Sequence, residues 1–223
     1  MKILICGDSY SITDPSYPGL HWSEKILNSS PVYNINNLSF GGASNALIAL
    51  QLMHGLKFIN PDFVILSFTN FTRYEIDNNI NAVPAGLSAI DIYNYHYSRY
   101  HTNMHENTEK NKIITRYICD ASSENFEKIK NYFYITMMLN RLAINKIPFC
   151  FTLGGFGFKH DYTNFINANY LENVVSKYEQ NQLSTNLWYH GSKLSPFFHV
   201  DNEDIQNIFA LECIEHIERY TNG

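Results

Sequence analysis

Apolar residues in this chain fall into short continuous runs and into longer segments with helical spacing. The short runs end at a glycine or a polar residue, which is typical of strands buried on both faces of a parallel sheet. Strands are predicted at residues 3–6, 32–35, 63–68 and 149–153. Helices are predicted at residues 21–27, 44–58, 124–146, 162–178 and 202–220. The alternation predicts an α/β fold with a right-handed, doubly wound parallel sheet between two helical layers.

Two of the predicted helices have apolar positions from which a buried face can be inferred. For the helix at 44–58 the expected buried stripe consists of Ala46, Leu47, Leu50 and Met53. For the helix at 202–220 the expected face consists of Ile205, Ile208, Phe209, Cys213, Ile217 and Tyr220.

The regular pattern is lost between residues 77 and 123. This segment includes an aromatic stretch at 93–101 that lacks clear helical spacing. Long segments between regular elements are often lids or substrate-binding insertions, and a loosely packed surface insertion explains this one equally well. We therefore expect a single domain over residues 1–223 with an irregular insertion at about 77–123.

Net charge and the length of the apolar runs argue against two classes of binding partner, nucleic acids and membranes. The formal net charge is -5, so the chain lacks the basic field that attracts nucleic acid or an anionic membrane. No apolar run approaches the roughly 20 residues that span a bilayer, and Met1-Lys2 leads directly into a strand. These features predict a cytoplasmic protein that binds neither nucleic acid nor membrane.

Cofactor and metal chemistry are not predicted. The four cysteines are scattered through apolar runs and resemble core residues; they are Cys6, Cys119, Cys150 and Cys213. His96, His101 and His105 are close in sequence, but no carboxylate or cysteine completes a recognisable metal-ligand set.

Small or polar residues follow three successive predicted strands. Gly7-Asp8-Ser9 follows the first, Gly41-Gly42 comes after the second and before a helix, and Thr69-Asn70 follows the third. Ligands of open α/β sheets bind at this carboxyl edge. Ser9 is therefore a candidate nucleophile, and the glycine-rich loop is a candidate site for an oxygen anion.

These residues resemble the SGNH, or GDSL-type, hydrolases, which are serine esterases and acyl hydrolases with a flavodoxin-like α/β/α fold. Gly7-Asp8-Ser9 corresponds to the first block of that family, and Asn37 precedes Gly42 by the spacing of the second. His199, just before the last helix, corresponds to the histidine of the fourth.

Two blocks depart from the family pattern. Ser67-Phe68-Thr69-Asn70 stands for Gly-x-Asn-Asp, so that a threonine occupies the place of the oxyanion-hole asparagine. Pro196-Phe197-Phe198-His199 stands for Asp-x-x-His and lacks the aspartate.

The resemblance implies a serine ester hydrolase that acts on a small-molecule or carbohydrate ester without a cofactor. Ser9 would be the nucleophile and His199 its base. The oxyanion hole would consist of the N–H groups of Ser9 and Gly42 with the Asn70 amide, or the Thr69 hydroxyl if Asn70 cannot reach. Ser195, Asp201 or a backbone carbonyl would orient the histidine, although Asp201 also suits the N-cap of the last helix.

Two other interpretations stay open. The chain could be a binding module that keeps the hydrolase fold after its third and fourth blocks decayed. A nucleotide-binding flavodoxin-like protein is the other, but no phosphate-binding glycine pattern follows the first strand, and Gly154-Gly155-Phe156-Gly157 lacks the GxGxxG order. The sequence does not indicate an oligomeric state.

Overall fold

The computed structural model describes residues 1–41, 43–69, 75–77, 97–99, 124–153, 176–185, 187 and 203–221. Within these ranges the strands are β1 (Lys2–Cys6), β2 (Asn34–Asn37), β3 (Phe63–Ser67), β4 (Glu75–Asp77), β5 (Tyr97–Arg99) and β6 (Phe149–Thr152). The helices of the same ranges are α1 (Trp22–Ser29), α2 (Asn45–Phe58), α3 (Glu124–Ile144) and α4 (Glu203–Thr221).

Four of these strands form a parallel sheet in the order β2-β1-β3-β6. A parallel bridge between Phe151 and Gln182 continues the pairing beyond β6, and the Leu183 N–H donates to the Phe151 carbonyl at 2.8 Å. The predicted doubly wound α/β fold is confirmed. β4 and β5 form a separate antiparallel pair; β5 lies within the predicted insertion at 77–123, most of which is outside the described residues.

The sheet has a hydrophobic core on each face, so the architecture has three layers. Successive residues of a strand point to opposite faces: Leu4 and Cys6 of β1 pack with α2 and α3, whereas Ile3 and Ile5 pack with α1 and α4. All five residues of β3 are buried. This explains why its sequence is a continuous apolar run rather than an alternating one.

β2 starts two residues later than predicted. The prediction followed the apolar residues Val32–Ile35, but Val32 is 64% exposed and the strand covers Asn34–Asn37. Pairing with β1 sets this register, because Lys2 lies opposite Asn34. At the edge of the described sheet a strand is less buried, so asparagines are tolerated there.

The predicted buried stripe of α2 is partly wrong. Leu47 is buried, but Ala46 and Leu50 are half-buried and Met53 is 40% exposed. The helix packs against both the sheet and α3, so its buried arc is wider and includes other residues. These are Asn45, Ile48, Ala49, Gln51, Leu52 and Gly55.

Gly55 lets α2 approach the sheet closely. A Cβ atom at this position would lie 2.8 Å from Cδ1 of Leu4 on β1. The helix begins at the predicted place, because the Ser44 side chain accepts a hydrogen bond from the Leu47 N–H and caps its N-terminus.

The predicted face of α4 needs a similar correction. Phe209, Cys213 and Ile217 are fully buried, but Ile208 and Tyr220 are 46% and 42% exposed. Gln206, Ala210 and His216 are buried instead, since the docked face is rotated by about one position relative to the predicted one. Within the described ranges, no helix is long and apolar enough to cross a membrane.

Candidate active site

The two central strands of the sheet lie where the chain reverses its direction of winding. From β1 the chain passes to β2 on one side and then to β3 on the other. In open α/β sheets the crevice beyond the carboxyl ends of such a strand pair is the usual ligand site. Ser9 follows β1 and Thr69 follows β3, so both residues lie at this point.

Ser9 begins a short 3₁₀ turn that Asp8 caps. The Asp8 Oδ1 accepts from the Tyr10 N–H at 3.0 Å, and the Asp8 carbonyl accepts from the Ser11 N–H at 3.0 Å. Between Ile3 and Ser11, Ser9 is the one residue that is not buried. Among the described residues, its N–H and its hydroxyl have no hydrogen-bond partner, so both are available to a bound molecule.

His21 and Trp22 hold the same turn from α1. The Trp22 Nε1–H donates to the Tyr10 carbonyl at 2.9 Å, and the His21 Nε2 contacts this carbonyl oxygen at 3.0 Å. The His21 Nδ1 accepts from the Ser23 N–H at 3.2 Å, so the ring proton is on Nε2, which donates to the carbonyl. Both ring nitrogens are engaged and the ring is fully buried, which makes His21 a structural histidine.

Asn37 and Gly7 connect the end of β2 to the Ser9 turn. The Asn37 Nδ2 donates to the Ser11 carbonyl at 2.5 Å, and its Oδ1 accepts from the Ser39 N–H at 2.9 Å. The Phe40 N–H donates to the Gly7 carbonyl at 3.1 Å. The loop leading from β2 towards α2 is therefore attached to the segment that carries Ser9.

Gly7 lies in a space that admits no side chain. A Cβ atom there would be 2.9 Å from the Ser11 Cβ and 3.0 Å from the Ser67 Cβ. Its N–H donates to Gln51 Oε1 at 2.8 Å, and its carbonyl accepts from Gln51 Nε2 at 3.0 Å. The glycine is required here by close packing between the ends of β1 and β3.

Thr69 is fully buried and its polar groups are engaged. Its Oγ1 donates to Asp8 Oδ2 at 2.8 Å. The Asn45 amide pairs with its backbone, with Oδ1 accepting from the N–H at 3.0 Å and Nδ2 donating to the carbonyl at 2.9 Å. Because a hydroxyl has one hydrogen, Thr69 would have to leave Asp8 to donate to an oxyanion.

The other predicted site residues lie outside the described residues; they are Gly42, Asn70, Ser195, His199 and Asp201. The structure brings the Ser9 turn and Thr69 together through Asp8. The roles of Ser9 as nucleophile, His199 as base and the named oxyanion donors stay predictions.

The described thiols are core residues, as predicted. Cys6, Cys150 and Cys213 are free and buried, and burial raises the pKa of the Cys6 and Cys213 thiols. With a raised pKa, the Cys6 and Cys213 thiols stay protonated at neutral pH and are poor nucleophiles; Cys119 lies outside the described residues. The described part of the chain contains no group of three or more His, Cys, Asp or Glu side chains that could hold a metal ion.

Sequence reasoning missed three buried amides beside the site, which belong to Asn45, Gln51 and Asn131. Asn45 and Gln51 are fully buried and Asn131 is 2% exposed. Asn131 is four residues before the buried Ile135 on α3, so its spacing places it on the buried face of the helix. A polar residue in phase with a buried stripe is the signal that could have revealed it.

Comparison with known proteins gives matches at the level of structure. No protein-family model matches the chain, and no curated protein matches it. A psychrotrophic esterase from Pseudoalteromonas sp. is similar, with a TM-score of 0.52, 10% identity, and coverage of 100% of this chain and 99% of that one.

Two further solved structures have comparable similarity. An acetyl xylan esterase, AlAXEase, has a TM-score of 0.51 and 12% identity, with coverage of 97% of this chain and 100% of that one. A lipolytic protein of the G-D-S-L family from Veillonella parvula has a TM-score of 0.50 and 13% identity, with 98% of each chain covered. The chain therefore has the fold of the SGNH, or GDSL-type, hydrolases, which its motifs resemble.

Proposed function

We propose that this chain is a serine ester hydrolase in which Ser9 is the nucleophile and His199 the general base. The observation that carries the proposal is the state of Ser9. It follows a central strand at the switch point of the sheet, it is not buried, and its hydroxyl has no partner among the described residues. Asp8 and Tyr10 on either side of it are buried, so Ser9 is the residue of this segment that a substrate could reach.

In the proposed acylation step the Ser9 Oγ attacks the carbonyl carbon of the ester. His199 removes the hydroxyl proton as the new C–O bond forms, and the carbonyl electron pair moves onto oxygen. His199 then gives this proton to the leaving alcohol, and an acyl-serine remains. Water, deprotonated by the same histidine, attacks the acyl-serine, and the acid and free Ser9 are released.

The proposed oxyanion hole consists of the backbone N–H groups of Ser9 and Gly42 and the side-chain amide of Asn70. Donors that are fixed before the reaction stabilise the tetrahedral oxyanion without reorganisation. Asn70 is preferred to Thr69 in this role, because the Thr69 hydroxyl already donates to Asp8. Ser195 or Asp201 remains the proposed partner that orients His199, and a backbone carbonyl would serve the same purpose.

For the substrate we propose a short acyl ester of a carbohydrate or of another small polar molecule. The support is the fold shared with an acetyl xylan esterase and with other esterases. The mildly acidic charge of the chain gives no reason to expect a strongly anionic substrate.

A fluorophosphonate probe and a p-nitrophenyl acetate assay test this proposal. Attack of the Ser9 Oγ on phosphorus forms an O–P bond, expels fluoride and releases the hydroxyl proton. We expect one label per chain on the peptide that contains Ser9, and Ser9→Ala to lose label and on the order of 10³-fold or more in kcat. Ser16→Ala is the matched control, since Ser16 is exposed. Hydrolysis by Ser9→Ala at the wild-type rate would refute the assignment.

The second candidate is a binding module that retains the fold without catalysis. The bond from Thr69 to Asp8 favours it, because the residue in the place of the family's oxyanion asparagine is committed elsewhere. A module without an activated serine reacts with neither the probe nor the ester. Rapid labelling of Ser9 in the wild-type protein would therefore exclude it.

A further inference from the structure

Helix α2 holds the ends of both central strands with side-chain amides. Gln51 forms two hydrogen bonds with the backbone of Gly7, directly after β1, at 2.8 and 3.0 Å. Asn45 forms two with the backbone of Thr69, after β3, at 3.0 and 2.9 Å. Each amide donates to a carbonyl and accepts from the N–H of the same residue. Two strand ends are thus fixed to one rigid helix.

At Thr69 the backbone is hydrogen-bonded to a side chain instead of to a neighbouring strand. The last main-chain bond described between this end of β3 and β6 is donated by the Phe68 N–H to the Thr152 carbonyl at 3.0 Å. Both backbone groups of the next residue, Thr69, are satisfied by Asn45. The position of Thr69, and with it the start of the chain that continues to Asn70, depends on this amide.

Asn131 on α3 forms a hydrogen bond with the Asn45 amide that helps to fix its orientation. Because the Thr69 N–H can only donate and its carbonyl can only accept, the orientation of the Asn45 amide is determined. The remaining Asn45 N–H donates to Asn131 Oδ1 at 2.9 Å. Without Asn131, this N–H would be left without that acceptor in a buried site, which favours rotation of the amide or a shift of the backbone it holds.

A bond between side chains joins the two strand ends directly. The Thr69 hydroxyl donates to Asp8 Oδ2 at 2.8 Å, and Asp8 caps the turn that begins at Ser9. In the sequence, Gly42 stands two positions before Ser44, which caps α2. Two of the proposed oxyanion donors, Ser9 and Asn70, therefore come soon after residues that α2 holds, and the third comes shortly before α2 itself.

We propose that Gln51, Asn45 and Asn131 are positioning residues for the reaction proposed above, on which this inference rests. Through Gly7 and Thr69 they set the separation between the Ser9 hydroxyl and the chain that leads from Thr69 to the proposed donor Asn70. They touch neither the nucleophile nor the substrate. Their loss slows the chemical step and leaves substrate binding unchanged, since displacement of a donor by a fraction of an ångström weakens interactions that form in the transition state.

The test uses Asn131→Leu and Gln51→Met, which remove the hydrogen bonds and approximately preserve side-chain size. Asn140→Leu is the matched control, because Asn140 lies on the same helix and its Oδ1 accepts from the Tyr178 hydroxyl at 2.8 Å. For each protein, the fluorophosphonate probe gives the fraction of reactive sites and the labelling rate. The p-nitrophenyl acetate assay gives KM and kcat per reactive site.

We expect the two positioning variants to lose on the order of tenfold in kcat per reactive site and in labelling rate, with KM within about twofold of wild type. Asn140→Leu keeps the wild-type kcat per site. Partial unfolding lowers the fraction of reactive sites instead of the rate at each site, so the two effects are separable. Asn131→Leu replaces an amide by an aliphatic group at a buried position, so it remains the deciding variant if Gln51→Met does not fold.

A wild-type rate per site in Asn131→Leu, or a loss equal to that of Asn140→Leu, would overturn the inference and leave the proposed function intact. A rise in KM at constant kcat would overturn it as well. If the wild-type protein is neither labelled nor hydrolytic, the proposed function itself fails, and the positioning role fails with it.

Discussion

The ends of β1 and β3 lie side by side, and each is followed by a residue with a hydroxyl group. The two hydroxyls differ in burial and in hydrogen bonding. After β1, Ser9 is partly exposed and its hydroxyl has no partner in the described part of the chain. After β3, Thr69 is fully buried and its hydroxyl donates to Asp8. The same functional group is thus available at one strand end and committed at the other.

Asp8 accounts for the difference. Its carboxylate is 1% exposed and requires donors, because an unpaired charge in such a site is strongly unfavourable. The Tyr10 N–H and the Thr69 hydroxyl supply two of them. The acid between Gly7 and Ser9 therefore fixes both the turn that presents Ser9 and the residue that stands for the family's asparagine. The comparison teaches that the threonine at position 69, which departs from the family pattern, is accommodated by a hydrogen bond to Asp8 of the first motif.

The largest effect is expected from Gly7→Ala, which forces the two strand ends apart. The new methyl group would lie 2.9 Å from the Ser11 Cβ and 3.0 Å from the Ser67 Cβ, and neither carbon can move without its backbone. We expect a loss of about 3 kcal/mol in the free energy of unfolding, which is roughly 6–12 °C in the midpoint of thermal unfolding for a chain of this size.

Gly55→Ala is the control for this variant. Its Cβ would meet the Leu4 Cδ1 at 2.8 Å, which is the flexible end of a side chain, and alanine favours the helix by roughly 1 kcal/mol. Calorimetry should therefore show a much smaller loss than for Gly7→Ala. Equal midpoints for the two variants would show that the strand ends are not closely packed.

Thr69→Val is expected to have the next largest effect. It removes the hydroxyl that donates to Asp8 Oδ2 and keeps the shape of the side chain. Loss of a hydrogen bond to a buried charged group costs about 2 kcal/mol, measured by denaturant unfolding. Thr69→Ser keeps the hydroxyl and is expected to lose less than about 1 kcal/mol.

An activity assay distinguishes two roles of Thr69, as a hydrogen-bond donor to Asp8 and as an oxyanion donor. If Asn70 is the oxyanion donor, Thr69→Val still hydrolyses p-nitrophenyl acetate at a rate within about tenfold of wild type under conditions in which the variant is folded. A fall of 10²–10³-fold in kcat in a folded variant, the usual effect of removing an oxyanion donor, would assign that role to Thr69 after all.

The fold was predictable because its signals are local. The continuous apolar run of β3 is what a strand buried on both faces requires, and the N-cap Ser44 fixes the start of α2. β2 was misplaced because it lies at the edge of the described sheet, where the register depends on pairing with β1 rather than on the strand's own apolar residues. The faces of α2 and α4 were misjudged because packing against two partners widens or rotates the buried arc.

The position of Ser9 after the first strand was predictable, but the hydrogen bonds around it were not. A strand followed by Gly7, Asp8 and Ser9 suffices to place a serine at the sheet edge. The bond from Thr69 to Asp8 spans 61 positions, and the bond from Asn45 to Asn131 spans 86. Pairings at such separations depend on the packed structure, and an asparagine at a helix start is equally typical of a cap.

The smallest expected effect is on the pH dependence of stability, and it provides a test of the proposed role of His199. His216 on α4 is buried. Burial, with the nearby Arg219, lowers its pKa below the ordinary value, against the opposing influence of Glu212 and Glu215. The unfolded chain therefore binds the proton more readily than the folded protein. As pH falls through the unfolded value of about 6.5, stability is lost until the folded pKa is reached, below which the loss stays constant.

His216→Gln removes this contribution. Thermal unfolding should show that the variant loses less stability than wild type between pH 8 and pH 5. The acid limb of the kcat profile should stay where it is in wild type, because in the proposed mechanism this limb reports protonation of His199. If the limb moves together with the stability curve, it reports unfolding at α4 and gives no support to a histidine base. The role of Ser9 as the nucleophile would then rest on phosphonate labelling alone. That experiment identifies the reactive serine without identifying its base.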